Sequence, residues 1–357
     1  MFLALALLAL GPSVAQHTAD KGAPRAGLVV VAAGALTFEE SVARRVCADP
    51  ARRLVLHIGP PESRAHDPFS ALGTPTPSAS IRSEDTYPGD DRDLAARVSA
   101  QSCIVLSGGT WIEWWSVLKP NQKLTRLGRA LVEAHATGTT VIGFDAAGTY
   151  LAEWSVLSRA ALKRPSRNPH DESRDILLGG LGLARGLCLD LATDGRDSPE
   201  PFLELVAATR IERAVWLGGT CAWIQDPAAH SATIAATDGA AFVFDLRATR
   251  RSRGALYGVG LTKITDGGQC ALDARGPALA DESNPERAVQ NSATTTLKGW
   301  FAPPLPHNAG NFGKVLELRG ERFVARLLFE SAPRIGDVSS RSDAAVAARL
   351  DWIPLAR

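Results

Sequence analysis

The chain has 357 residues, with 39 Lys and Arg against 38 Asp and Glu for a formal net charge of +1. It is 45% hydrophobic and 22% charged, a composition with ample material for a large core. Near-neutrality argues against nucleic-acid or anionic-membrane binding driven by bulk charge, and no stretch after the N-terminus is apolar for long enough to span a bilayer.

Residues 2–10 form an apolar run, followed by small residues at Ser13 and Ala15. That order predicts a signal peptide over 1–15, cleavage after Ala15 and export to the periplasm or the extracellular space. Residues 16–26 read as a polar linker. A buried strand is expected at 27–33, then a helix capped by Thr37 with Glu40 three residues on. The second strand is 53–58, where His57 alternates with apolar neighbours and reads as a core histidine. Pro60 to Asp91 is a long Pro, Ser, Asp and Gly-rich excursion, with a short strand at 78–81 as one reading. Asp91 is placed to cap a helix through Ser99.

The third strand, 102–106, ends at Ser107-Gly108-Gly109-Thr110. Helical spacing follows over 111–118 and 123–136. Trp111 and Trp115 share a helix face; with Trp114 they either pack the helix on the sheet or line a pocket for a ring or apolar chain.

Thr139 to Ile142 is a β-branched run, stopped by Gly143-Phe144-Asp145-Ala146-Ala147-Gly148. The helical pattern Tyr150, Leu151, Trp154, Leu157 comes next. This is the layout of a nucleophile elbow, a tight strand-to-helix turn that presents one side chain above a sheet. In the G-x-S-x-G order, the serine position holds Asp145.

Arg164 to Asp175 reads as a polar loop. Strand-like runs follow at 176–183 and 186–190, the first carrying Gly180-Leu-Gly-Leu183 and the second ending at Asp190. A nucleotide fingerprint is discounted there, because a strand rather than a helix follows the glycines. A helix is expected at 201–208, strands at 214–217, 222–224, 233–236 and 241–245, and a hairpin over 314–329 turning at Arg319-Gly320. The organisation expected is one α/β domain over 27–265, an irregular segment at 266–296 and a β-rich C-terminal extension at 297–357. Strand–helix alternation predicts an open, mostly parallel sheet covered on both faces, with an antiparallel extension on one edge.

The five cysteines, Cys47, Cys103, Cys188, Cys221 and Cys270, lack C-x-x-C spacing, so neither a metal nor a cofactor is expected. Cys103 and Cys188 lie in apolar runs and read as buried, inert thiols. In an exported chain one disulfide among the others is an open alternative.

Four landmarks occur in one order: strand-Gly108-Gly109, the elbow at Gly143, Gly180-Leu-Gly-Leu183 through Asp190, and Val215-Trp-Leu-Gly-Gly-Thr-Cys-Ala222. Together they resemble the cyanophycinase and peptidase E family of serine peptidases, over roughly Gly27 to Leu261. The resemblance implies a three-layer fold of the class I glutamine amidotransferase or flavodoxin-like type. It also places the family's serine nucleophile position at Asp145, or at Ala146 if Ala147-Gly148 is matched to the family's Ala-Gly, and its histidine base position at Ala192. Thr110-Trp111 stands where the family has a polar pair after the glycines, and Gly218-Gly219 stands where it has Asp-Glu.

A serine nucleophile needs a base to take its proton; with the serine gone and alanine at the base position, these residues predict a catalytically degenerate homologue. Its cleft, built from Gly108, Gly109, Thr110, Trp111, Asp145 and Asp190, would bind a peptide or a small anion. The alternatives are a hydrolase in which Asp145 is a carboxylate nucleophile, with His170 or His230 brought near, and a structural or interaction protein. For Asp145 itself the competing expectation is a helix N-cap. Self-association is left open by the sequence.

Overall fold

A computed structural model describes residues 25–34, 36–47, 49–59, 66–73, 76–82, 88–158, 175–191, 200–252, 255–272, 315–319, 323–328 and 345–354. The signal peptide, most of the linker, the polar loop before Asp175, Ala192, His170 and most of the irregular segment lie outside the described residues. No described helix is long and apolar enough to cross a membrane.

The chain is mixed α/β. Five strands, β1 (Val29–Ala33), β2 (Arg53–Ile58), β3 (Ser78–Ile81), β4 (Cys103–Gly108) and β5 (Thr140–Phe144), are parallel in the order β1-β5-β4-β2-β3. β1, β2 and β5 are buried along their whole length, as parallel strands covered on both faces must be. One face packs on α1 (Glu40–Val46), and the other on α2 (Arg92–Ser99), α3 (Trp111–Leu118), α4 (Arg126–Ala136) and α5 (Ala146–Leu151).

The expected antiparallel extension is divided between two sheets. Antiparallel β10 (Cys221–Asp226), β11 (Ser231–Ala236) and β15 (Gln269–Ala271) extend the first sheet beyond β1 to eight strands. The strands expected near 214–217 and 241–245 belong instead to a second sheet of ten strands. It contains β6 (Ala152–Ser158), β7 (Asp175–Gly179), β8 (Ala184–Leu191), β9 (Arg213–Gly218), β12 (Ala240–Asp245), β13 (Arg250–Ser252), β14 (Ala255–Ile264), β16 (Val315–Arg319), β17 (Phe323–Leu328) and β18 (Ala345–Pro354). One core joins the two sheets, with Leu54, Leu106 and Val141 from the first and Leu189, Val215 and Leu217 from the second. The outer face of the second sheet carries α6 (Glu200–Ala207). β16 and β17 pair as the expected hairpin, and β18 joins them to β14.

Two helix expectations are corrected. Thr37 does not cap α1, which begins at Glu40 after an uncapped Glu39. Leu36 and Phe38 are buried instead, and the Phe38 N–H donates to Pro68 O, so packing draws these residues out of the helix. The helix after the elbow ends at Leu151, and 152–158 is strand β6, parallel to β8 and antiparallel to β7. The Gly180-Leu-Gly-Leu183 segment supplies the stop. Leu181, Leu183 and Gly182 donate their N–H groups to the carbonyls of Tyr150, Leu151 and Ala152, which a helix end leaves without intrahelical donors. A Cβ at Gly180 would sit 2.4 Å from Ala152 O and 2.5 Å from Tyr150 O, so only glycine permits this approach.

Candidate functional site at the C-terminal edge of the parallel sheet

Ligand sites in open α/β sheets lie beyond the carboxyl ends of the strands. Here that edge is formed by the ends of β1, β5, β4 and β2. Parallel register pairs Leu106 with Gly143 and Ile58 with Gly108, so Gly108 and Asp145 each stand two residues beyond a paired position on neighbouring strands.

The elbow is built. Asp145 has φ 49° and ψ −118°, the conformation of the first central residue of a type II′ turn, a place dominated by glycine. For a side-chain-bearing residue that backbone costs on the order of 1–3 kcal/mol and persists only where its surroundings over-determine it. The surroundings do so. Asp145 N–H donates to Ala32 O, and Asp145 O accepts from Thr149 N–H. Two glycines close the turn: a Cβ at Gly143 would lie 2.7 Å from Gly148 Cα, and one at Gly148 would lie 2.6 Å from Gly143 O. The strained position falls on Asp145, while Ala146 is the first helical residue.

Asp145 is not a helix cap; its side chain makes no capping hydrogen bond. Oδ1 accepts the backbone N–H of Gly34 at 2.9 Å. Gly34, in the turn after β1, has φ 72°, and a Cβ there would lie 3.4 Å from Thr220 Oγ1. Thr220 stands before Cys221, which pairs with Ala33 at the end of β1. Gly34, Asp145 and Thr220 therefore share this edge, with the Asp145 side chain exposed.

Gly108 and Gly109 both have positive φ, 69° and 65°. A Cβ on Gly108 would lie 2.5 Å from His57 Cε1, and one on Gly109 would lie 2.8 Å from Ile58 Cβ, so β2 packs flat against this turn. His57 is buried there as a core histidine. Thr110 is used structurally. Its Oγ1 accepts from Glu113 N–H at 3.3 Å, and its own N–H donates to Glu113 Oε2 at 2.7 Å, a complete capping box for α3. Trp114 is fully buried and donates Nε1–H to Gly108 O at 2.8 Å. Trp111 packs edge-on against Tyr150, with ring centroids 5.2 Å apart. Two of the three tryptophans are thus buried packing residues on α3.

Asp190 lies elsewhere. It is buried inside β8 of the second sheet, paired in register with Trp216, and accepts the Leu191 N–H at 2.9 Å. His230 is also remote. It follows β10, whose register against β1 places Gln225 opposite Val29 and Cys221 opposite Ala33, so its turn is at the opposite end of the sheet from Asp145. His170 and Ala192 lie outside the described residues.

A different histidine belongs to the edge. His66 packs its ring against Phe144, centroids 4.4 Å apart and planes at 72°. Its Nε2 lies 2.9 Å from Leu36 O, and its backbone N–H donates to Ser107 Oγ at 3.0 Å. It thereby ties the β1–α1 turn, the end of β4 and the residue before Asp145. A single histidine in a Pro, Ser and Asp-rich excursion gave no sequence signal; the imidazole is placed by tertiary packing. Among the described residues, no group of three or more His, Cys, Asp or Glu side chains is arranged to hold a metal ion.

No family model matches the sequence, and no curated protein matches it. Among solved structures the chain is similar to a peptidase from an acI-B1 Actinobacterium, with 13% identity over 70% of this chain and 98% of that one, at a TM-score of 0.45.

Proposed function

We propose that the chain is a catalytically degenerate homologue of the cyanophycinase-like serine peptidases, with the three-layer ancestry that the motifs imply, and that it binds a peptide without cleaving it. One observation carries this: the strained elbow position is kept, and it presents a carboxylate already bonded to the Gly34 amide. A serine nucleophile at this turn would need a base to take its proton and free amides to receive the developing oxyanion. Asp145 has no hydroxyl to deprotonate, and its own oxygen fills the amide facing the elbow.

The same geometry selects the ligand. A small anion would meet an exposed carboxylate and an amide already satisfied. An amine or guanidinium would meet an exposed carboxylate, a charged acceptor. We therefore assign the edge around Asp145 to a peptide bearing a basic group, as in the β-aspartyl-arginine polymer on which the cyanophycinases that the motifs resemble act. Export through the N-terminal segment, and a C-terminal extension serving the same domain, belong to this proposal.

His66 favours one second reading, a hydrolase in which Asp145 attacks a carbonyl and the nearby imidazole activates water for the second step. A hydrolysis assay on β-aspartyl-arginine peptides, with calorimetric titration of the same peptides, separates the two. Binding without turnover, lost in Asp145→Asn, is expected. Turnover abolished by both Asp145→Ala and His66→Ala would replace the proposal with the carboxylate mechanism. Labelling of Ser107 by a fluorophosphonate with turnover would place catalysis one strand away.

A further inference from the structure

The face of the parallel sheet covered by α1 holds a cluster that the peptide site does not use. Cys47 is the C-terminal cap of α1, and Cys103 opens β4; their relative exposures are 3% and 0%. They are 56 residues apart in sequence, yet both belong to one buried cluster on this face of the sheet. Arg53 lies beside both. It is the register partner of Cys103 in the sheet, donates Nε–H to Cys47 Sγ at 3.4 Å and donates Nη2–H to Cys47 O at 3.2 Å. Its guanidinium is itself fixed, 4.1 Å over the Phe69 ring.

A buried arginine with a sulfur as a hydrogen-bond acceptor is an arrangement that stabilises a thiolate. The two sulfurs differ accordingly. The neighbouring Cys103 thiol, with the hydrogen bond and charge of Arg53, draws the Cys47 thiol down to about 6 against the opposing effect of burial, whereas burial pushes Cys103 well above its ordinary value. One sulfur is thus prepared as the nucleophile, and the other stays a protonated thiol in the same cluster. The remaining cysteines do not share this arrangement: burial raises Cys188, Cys221 and Cys270.

We infer that Cys47 and Cys103 form a peroxide-responsive thiol pair that closes into a disulfide. The Cys47 thiolate attacks one oxygen of hydrogen peroxide, breaking the O–O bond to give the sulfenic acid and hydroxide. The Cys103 sulfur then attacks the sulfenic sulfur; its proton and the departing hydroxyl leave as water. Overall two thiols lose two hydrogens and one peroxide becomes two waters. Peroxide is small, and Cys47 lies two residues before the exposed segment 49–52. The bond would fasten the end of α1 to the start of β4, at the end of the sheet opposite Asp145, and so leave peptide binding unchanged.

The test is made on the full chain, reduced and then treated with hydrogen peroxide, unfolded in denaturant with N-ethylmaleimide and weighed intact. Reduced protein carries five adducts, one per cysteine; oxidised protein should carry three, and reductant should restore five. Peptide mapping of the wild type should show Cys47 joined to Cys103, a result that needs no variant. In Cys103→Ala, Cys47 should stop at the sulfenic acid and be trapped by dimedone. Five adducts surviving peroxide, or a link from Cys47 to any cysteine other than Cys103, would overturn the inference.

Discussion

The carboxylate of Asp145 accepts the backbone N–H of Gly34 although 111 residues separate them in the chain. The bond ties the turn after β1 to the turn after β5, two loops adjacent only because these strands pair in parallel. It also uses a turn conformation that glycine would adopt without strain. A carboxylate held there at a cost, and exposed, is what makes this edge the candidate site.

The strain can be read directly. Asp145→Gly and Asp145→Ala both lose the bond to Gly34, so the difference between them isolates the backbone. At φ 49° the glycine variant should be the more stable by about 1–2 kcal/mol. In an ordinary exposed helix interior the sign is reversed. Paired denaturant titrations decide it; an alanine variant as stable as the glycine variant would show the elbow to be unstrained.

Replacing the carboxylate should also invert the charge preference of the edge. Asp145→Ala uncovers the Gly34 amide and removes a negative charge. The variant should bind sulfate or phosphate more tightly than wild type, and basic peptides more weakly. The exposed ion pair with a basic peptide should contribute about 0.2–1 kcal/mol, so the affinity loss is a few-fold and needs calorimetry at low salt. Equal sulfate affinity in both proteins would mean that the Gly34 amide is not an available donor.

Much of the parallel sheet was legible because its strands are uniformly apolar runs punctuated by glycine. Asp91 caps α2 as expected, accepting from Asp93 and Leu94 N–H. The elbow was legible from Gly143 and Gly148, which are needed wherever a strand and helix approach so closely. What failed was local pattern overridden by distant contacts. Tyr150, Leu151, Trp154 and Leu157 have helical spacing, yet the helix stops when residues 180–183 take its last carbonyls. Thr37 and Glu40 match a capping box that packing disrupts, while Thr110 and Glu113 form one directly after the glycines. His66 could not be found because its position depends on Phe144, Leu36 and Ser107, three elements remote in sequence. The division into two sheets was illegible because an antiparallel run does not state which sheet it joins.

The glycine that terminates the elbow helix gives a stability test. Gly180→Ala would place a methyl group at 2.4 and 2.5 Å from two carbonyl oxygens, both of them backbone atoms. Relief requires separating residues 180–183 from the end of α5, so the loss should be about 1–3 kcal/mol. Gly182→Ala meets nothing within 4 Å but has φ 81°, and should cost about 1 kcal/mol from backbone strain alone. Equal losses would mean that crowding at Gly180 is not what fixes the segment.

Lys263 offers a test that depends on pH. It lies on β14 with 1% relative exposure, its ammonium 5.1 Å from the centre of the Phe242 ring. Burial lowers its pKa from 10.5 to about 8. Between pH 8 and 10.5 the unfolded chain therefore binds more protons than the folded one, and stability rises with pH through that window. Below pH 8 both states are charged, and the net burial cost, on the order of a few kcal/mol, is present in full. Lys263→Met keeps the length of the side chain and removes the charge. It should leave the fold intact and flatten the rise between pH 8 and 10.5. Denaturant midpoints measured at pH 7, 9 and 10.5 check it. A methionine variant with the pH dependence unchanged would show that Lys263 is not the group that titrates in this window.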